Sequence, residues 1–219
     1  VVRLGESTME LHDSLFNMRA RFYEESRRRA LNSASLWTPK ASNCSRGTEL
    51  TGRPSIPATR RRELLKKLLV DLALKEGSFK LSSGAHSRWY VDARMVTTHP
   101  LGARLVAEEM AVHIGEVDAV GGPELGAVPI LGALAALKGY PTFIVRKRAK
   151  GHGLGKMVEG HLGQRVALID DVATTGQSLQ RAIEVLEDAH AQVVKVLVLV
   201  SRGWEGEAIF TLEELIAHR

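Results

Sequence analysis

Between residues 101 and 201 helical patterns alternate with short apolar strands, and the strands lack a clean apolar–polar alternation. VVKVLVLVS (193–201) is almost wholly apolar, and VALI (166–169) runs straight into Asp170 and Asp171. A strand with one wet face alternates with period two. Strands apolar on both sides belong to a parallel sheet covered by helices on both faces. The expected class is therefore α/β, with a mostly parallel sheet flanked by helices. Ligands in such folds sit at the carboxyl ends of strands, where the two acids are expected to lie.

The rest of the pattern agrees. RRELLKKLLVDLALKEG (61–77) predicts an amphipathic helix that stops at Gly77. FKLSSGAHSRWYVDAR (79–94) predicts short extended pieces around a Ser-Gly turn. Pro100 opens a helix over 101–114, with Leu105 and Ile114 inward. VDAVGG, PTFIVRK and QRVALID read as strands. GAVPILGALAALKG and TGQSLQRAIEVLEDA read as helices, and FTLEELI closes the chain as a short helix.

Residues 1–60 differ in kind. Residues 9–31 have helical spacing at Leu11, Leu15, Met18 and Phe22. The next stretch is rich in Ser, Thr, Pro, Gly and Asn with no sustained period. The expectation is an extension over 1–60, partly helical or disordered, and a main domain over 61–219. Of the net charge of +5, residues 1–62 hold 12 basic against 6 acidic side chains, and the remainder 18 against 19. The basic excess thus belongs to the extension, and Arg27, Arg28 and Arg29 fit a solvated helix face better than a nucleic-acid contact. No apolar run is long enough for a membrane span, and the first residues carry charges where a signal peptide needs an apolar core. The single cysteine, Cys44, allows no internal disulfide framework. A cytoplasmic protein with neither nucleic acid nor membrane as partner is expected.

Two carboxylates at the end of an apolar strand cost several kcal/mol unless something pairs with them. DDVATTGQS joins strand to helix in few residues. Backbone N–H groups over 172–178 and the helix N-terminus suit a phosphate, with hydroxyls from Thr174, Thr175 and Ser178 and a tight turn at Gly176. The acids would then face donors beside the phosphate, either vicinal sugar hydroxyls or the water shell of a hard cation. Taken alone, the turn also fits a capped helix start. It is no GxxxxGK phosphate loop, since Gln177 and Ser178 follow Gly176. KRAKGHGLGKMVEG (147–160) has the make-up of an electropositive lid, or of a solvated hairpin. GGPELGAVPI (121–130) fits a diphosphate-holding turn at Glu124, or a tight packing turn. His152 and His161 lack the partners of a metal site.

Together these stretches resemble the type I phosphoribosyltransferases, and among them the orotate phosphoribosyltransferases. The resemblance covers residues 61–219 and implies that family's fold, with a small amino-terminal hood. It implies transfer of phosphoribosyl from 5-phospho-α-D-ribose 1-diphosphate to orotate in pyrimidine synthesis, with Mg2+ carried by the diphosphate and no direct protein ligand beyond water-mediated contact to Asp170 or Asp171. By the same resemblance Asp170 and Asp171 hold the ribose, and Val172, Ala173, Thr174, Thr175, Gly176, Gln177 and Ser178 hold the 5-phosphate, Thr174 also touching orotate. Lys80, Tyr90, Val91 and Glu124 line the substrates. Arg146, Lys147, Lys150 and His152 belong to a lid that reaches a neighbouring subunit's site in a homodimer, and Arg202 pairs with the base. Lys150 and His152 join the two acids as catalytic residues. Ser201 replaces the family's usual Asp, and only GWEGEAI stands where that family places a turn, a helix and a strand, a shortening expected to remove an edge element. The competing expectations are a purine or uracil salvage enzyme, and a regulator that binds phosphoribosyl diphosphate.

Overall fold

The computed structural model describes residues 56–80, 86–148 and 157–219. The helix expected over 9–31, the basic run at 27–29 and Cys44 lie outside them.

Helix α1 (Ala58–Leu68) buries Leu65 and Leu68, and a single wider turn carries the burial on through Leu69, Leu72 and Ala73. Here the structure departs from the sequence expectation. The helix does not run on to Gly77, because Leu74–Lys80 forms strand β1, which pairs antiparallel with β2 (His86–Val91). Gly77 lies where the register shifts between Glu76 and Phe79, so it serves a bulge rather than a helix end. This ribbon and α1 form the small hood.

The hood is fastened by charge as well as by leucines. Arg61 Nε meets the buried Glu109 carboxylate at 2.8 Å, and Arg62 Nη2 donates to the Ile209 carbonyl at 2.7 Å. Arg62 also lies 4.5 Å from the centre of the Phe210 ring.

After the one-turn helix α2 (Arg94–Thr97), α3 (Pro100–Ile114) starts with proline in its first turn. His99 Nδ1 accepts from the Gly102 amide at 3.3 Å as its cap. Then follow β3 (Ala119–Pro123), α4 (Val128–Lys138), β4 (Thr142–Val145), β5 (Val158–Gly160), β6 (Arg165–Ala173), α5 (Gln177–Asp188), β7 (Gln192–Ser201), β8 (Ala208–Thr211) and α6 (Leu212–Ala217). The six-stranded sheet has the order β5-β4-β3-β6-β7-β8, and only the β4–β5 pair is antiparallel.

Successive residues of β6 and β7 enter opposite cores. Ala167, Ile169, Leu197 and Leu199 pack with α1, α3 and α4, whereas Val166, Leu168 and Val198 pack with Leu179 and Leu186 of α5. Each fully buried leucine or valine contributes about 1.5–3 kcal/mol. Burial on both sides is the physical reason these strands read as unbroken apolar runs.

The chain's end corrects a second expectation. Ala208–Thr211 is a strand parallel to β7, so the edge of the sheet is kept and FTLEELI is helical only from Leu212. Residues 202–207 alone connect two parallel strands, a link that ordinarily takes a dozen residues or more. Thr211 then caps α6 reciprocally: its Oγ1 accepts from the Glu214 amide at 3.2 Å, while Glu214 Oε2 accepts from the Thr211 amide at 2.9 Å. Among the described residues no helix is long and apolar enough to cross a membrane.

Candidate active site

Asp170 and Asp171 sit inside β6 rather than past its end. The long apolar run of β7 prolongs the ladder, pairing Val172 with Val200 and Ala173 with Ser201. Asp170 is buried, with Oδ1 accepting from the Asp171 amide at 2.9 Å and Oδ2 from Ser178 Oγ at 3.5 Å. Asp171 Oδ1 accepts from the Val172 amide at 2.8 Å. Burial, and secondarily the adjacent Asp171 carboxylate, push Asp170 up to about 8. Burial raises Asp171 as well, opposed by the Val172 amide and by the charge of Arg94. A Cβ on Gly126 would lie 2.2 Å from Asp171 Oδ1, so the turn between β3 and α4 packs directly against this acid.

The turn that follows is shorter than expected. Val172 spends its amide on Asp171 and Ala173 lies in the ladder, so the open amides begin at Thr174. Those of Thr174, Thr175 and Gly176 meet no acceptor among the described residues, and α5 has no side-chain cap. Neither acid serves the helix amides; the Gln177 amide has only a long 3.5 Å contact to Thr175 Oγ1. Gly176, at φ +73°, holds the left-handed conformation that turns the chain into α5. An uncapped N-terminus preceded by free amides is a seat for an anion.

On the hood side, Tyr90 is half-buried, its ring centre 5.4 Å from that of Phe79. Val91 points the other way, into the core. Arg202 joins hood to sheet: Nη2 donates to the Trp89 carbonyl at 3.0 Å and to Ser87 Oγ at 3.4 Å, and its amide donates to the Ala173 carbonyl at 2.8 Å. Its Nε–H is buried and meets no acceptor among the described residues. Burial pulls the Arg202 pKa down, with Tyr90 acting in the opposite sense.

Arg94, absent from the sequence-predicted set, projects its field onto Asp171 and Tyr90 while Nε holds Asp92 Oδ1 at 3.2 Å. The Asp-x-Arg spacing at the mouth of α2 was its only signal in the sequence.

The Glu124 side chain is engaged within the chain itself. Its Oε1 accepts from the Lys147 amide at 2.8 Å, and its own amide donates to the Val145 carbonyl at 2.9 Å. The carboxylate thereby ties the β3–α4 turn to the foot of the 147–160 segment, leaving amides rather than side chain for an anion. Arg146 Nη1 pairs with Glu159 at 2.7 Å across the same foot, and Lys147 is exposed. Lys150, His152 and the Lys80 side chain lie outside what is described. Among the described residues no group of three or more His, Cys, Asp or Glu is placed to hold a metal.

Paired acids beside a bare amide turn, with half-buried Arg202 tied to the end of the same strand, suit a sugar phosphate approached by an anion. That is the work of a phosphoribosyltransferase. The family described as phosphoribosyl transferase domain matches residues 92–210. The orotate phosphoribosyltransferase of Pyrococcus furiosus is 43% identical over 146 residues, 64% of this chain and 80% of that protein. The crystal structure of Mycobacterium tuberculosis orotate phosphoribosyltransferase with Fe(III) dicitrate superposes with a TM-score of 0.61 at 32% identity, covering 71% of this chain and 98% of that one. Its complex with 5-phospho-alpha-D-ribosyl 1-diphosphate gives 0.58 at 28% identity with the same coverage. The chain belongs to the phosphoribosyltransferase family, and within it to the orotate phosphoribosyltransferases.

Proposed function

We propose that this chain transfers phosphoribosyl from 5-phospho-α-D-ribose 1-diphosphate to orotate, giving orotidine 5'-phosphate and diphosphate in pyrimidine synthesis. The observation that carries the reading is the buried acid pair of β6 followed by an uncapped amide turn. The C1–O bond to diphosphate breaks, positive charge develops on the ribose, and N1 of orotate forms the new bond while diphosphate departs with the electron pair. Asp170 and Asp171 accept from the ribose hydroxyls and keep a negative field beside the developing cation. The amides from Thr174 onward, with the hydroxyls of Thr175 and Ser178, hold the 5-phosphate. Thr174 and Arg202 face orotate, and the amides from Leu125 onward face the diphosphate.

Lys80, Arg146, Lys147, Lys150 and His152 offset the charge of the leaving group. Two adjacent carboxylates, with no third protein ligand among the described residues, fit Mg2+ that arrives with the diphosphate and keeps its own waters. Asp170 and Asp171 would hold it through water, and it would supply charge neutralisation on the leaving diphosphate. A neutral purine or uracil would give the buried Nε–H of Arg202 no anion, which favours orotate over the salvage reading. The relatives are named as transferases, which disfavours the regulator. A cytoplasmic setting, with the single thiol of Cys44 kept reduced, completes the reading.

Loss of orotate absorbance with phosphoribosyl diphosphate and Mg2+ tests the activity, and a folded chain without turnover would sink it. The homodimer with a shared lid has its own test. Mixed Lys150→Ala and Asp171→Ala chains regain about a quarter of wild-type turnover if each lid serves its neighbour, because only the heterodimers restore a site. No recovery means each lid serves its own subunit.

A further inference from the structure

The reaction makes no use so far of Trp204, at the centre of the abrupt 202–207 link. Its indole is half-buried against the α5 face of the sheet, and its Nε1–Cδ1 edge lies on the phosphate turn. A Cβ on Gly176 would come within 2.7 Å of Nε1 and 2.8 Å of Cδ1. The far end of the ring lies over Gly206, where a Cβ would meet Cη2 at 2.1 Å. The link is clamped below the ring, since buried Ser201 donates from Oγ to the Trp204 carbonyl at 2.6 Å. Next to it the Arg202 amide is tied to Ala173, the last residue before the turn.

These contacts meet a specific need. The turn at 174–176 has open amides, a left-handed residue and only a long 3.5 Å bond from the Gln177 amide to Thr175 Oγ1, so local bonding does little to hold its shape. A rigid aromatic edge seated on Gly176 supplies the missing brace, and a cradle braced before binding loses less entropy when the anion arrives.

We propose that Trp204 is a positioning residue of the phosphate subsite, bracing the Thr174–Ser178 turn in its anion-binding shape through edge contact with Gly176. The ligand class is a sugar 5-phosphate, and the proposal rests on the function proposed above. It also gives Ser201 a task, that of fixing the Trp204 main chain, and it gives Gly206 one, that of letting the link fold under the ring.

The test compares Trp204→Ala and Trp204→Phe with wild type, using calorimetry with ribose 5-phosphate and steady-state kinetics with both substrates. Trp204→Ala is expected to weaken ribose 5-phosphate and raise KM for phosphoribosyl diphosphate by about ten- to a hundredfold, the scale of a misplaced binding group. KM for orotate stays near the wild-type value, and Trp204→Phe recovers most of the loss. Unchanged ribose 5-phosphate affinity, or an equal loss for both substrates, overturns the proposal. If Trp204→Ala does not fold, the Trp37→Phe/Trp89→Phe chain leaves Trp204 as the sole indole. Ribose 5-phosphate must then shift its emission, and an unresponsive emission overturns the proposal. A wild-type chain that binds ribose 5-phosphate with this response but does not consume orotate defeats the proposed function and leaves this inference standing. Orotate turnover with an indifferent Trp204 does the reverse.

Discussion

The guanidinium of Arg202, at the carboxyl end of β7, donates from Nη2 to the main-chain carbonyl of Trp89 in the hood at 3.0 Å. One side chain thus joins the hood ribbon to the sheet and keeps a buried Nε–H in reserve. Arg202→Ala is expected to raise KM for orotate and lower kcat/KM by about a hundredfold or more. Arg202→Lys should not restore it, because a single ammonium cannot serve the Trp89 carbonyl and a ligand in one plane. Steady-state kinetics decide, and an unchanged KM for orotate would count against the assignment.

The acid pair carries a pH signature. With Asp170 raised from 3.8 to about 8, the folded ligand-free chain keeps a proton that the unfolded chain releases within that window. Stability from this source is therefore fully present below about pH 4 and is lost as pH rises towards about 8. Asp170→Asn should flatten the slope and exceed wild type at pH 9 by about 1–3 kcal/mol, or about 2–10 °C in Tm, while abolishing turnover. Thermal melts between pH 5 and 9 check this, and a parallel slope in the variant would refute it.

Gly126→Ala tests the interlock between the β3–α4 turn and β6. The added methyl would lie 2.2 Å from Asp171 Oδ1, and the carboxylate must move. Turnover should fall by about a hundredfold, with a stability loss of only about 1–2 kcal/mol because the turn is only partly buried. A variant as active as wild type would show that the acid has slack.

Glu109→Ala should destabilise the chain by about 3–5 kcal/mol, since it leaves Arg61 facing a buried position without its partner at 2.8 Å. Urea unfolding gives the figure. A loss below about 1 kcal/mol would mean the pair behaves like an exposed one.

Much of the site was written locally. Pattern alone placed the acids after VALI and the short turn before α5, whereas Arg202 was singled out only by the family resemblance. What the pattern misjudged depended on partners far along the chain. Val172 and Ala173 looked like turn residues until β7 paired with them, and residues 74–77 looked helical until β2 lay beside them. That the Glu124 carboxylate would tie its turn to the Lys147 amide was not legible locally. Val91 looked like a pocket residue, but strand parity sends its side chain into the core.

The sequence by itself determined the layering of the sheet, because strands apolar on both faces have no stable exposed arrangement, and it put doubled acids before a short Thr-Gly turn, a pattern that fits a sugar phosphate. Tertiary structure alone decided the rest. Arg94 bears on Asp171 only once α2 packs against α3 and α4, and Trp204 reaches Gly176 only because a six-residue link returns the chain to β8. Local periodicity encodes which faces are buried; which distant side chains meet across them is fixed by register and packing.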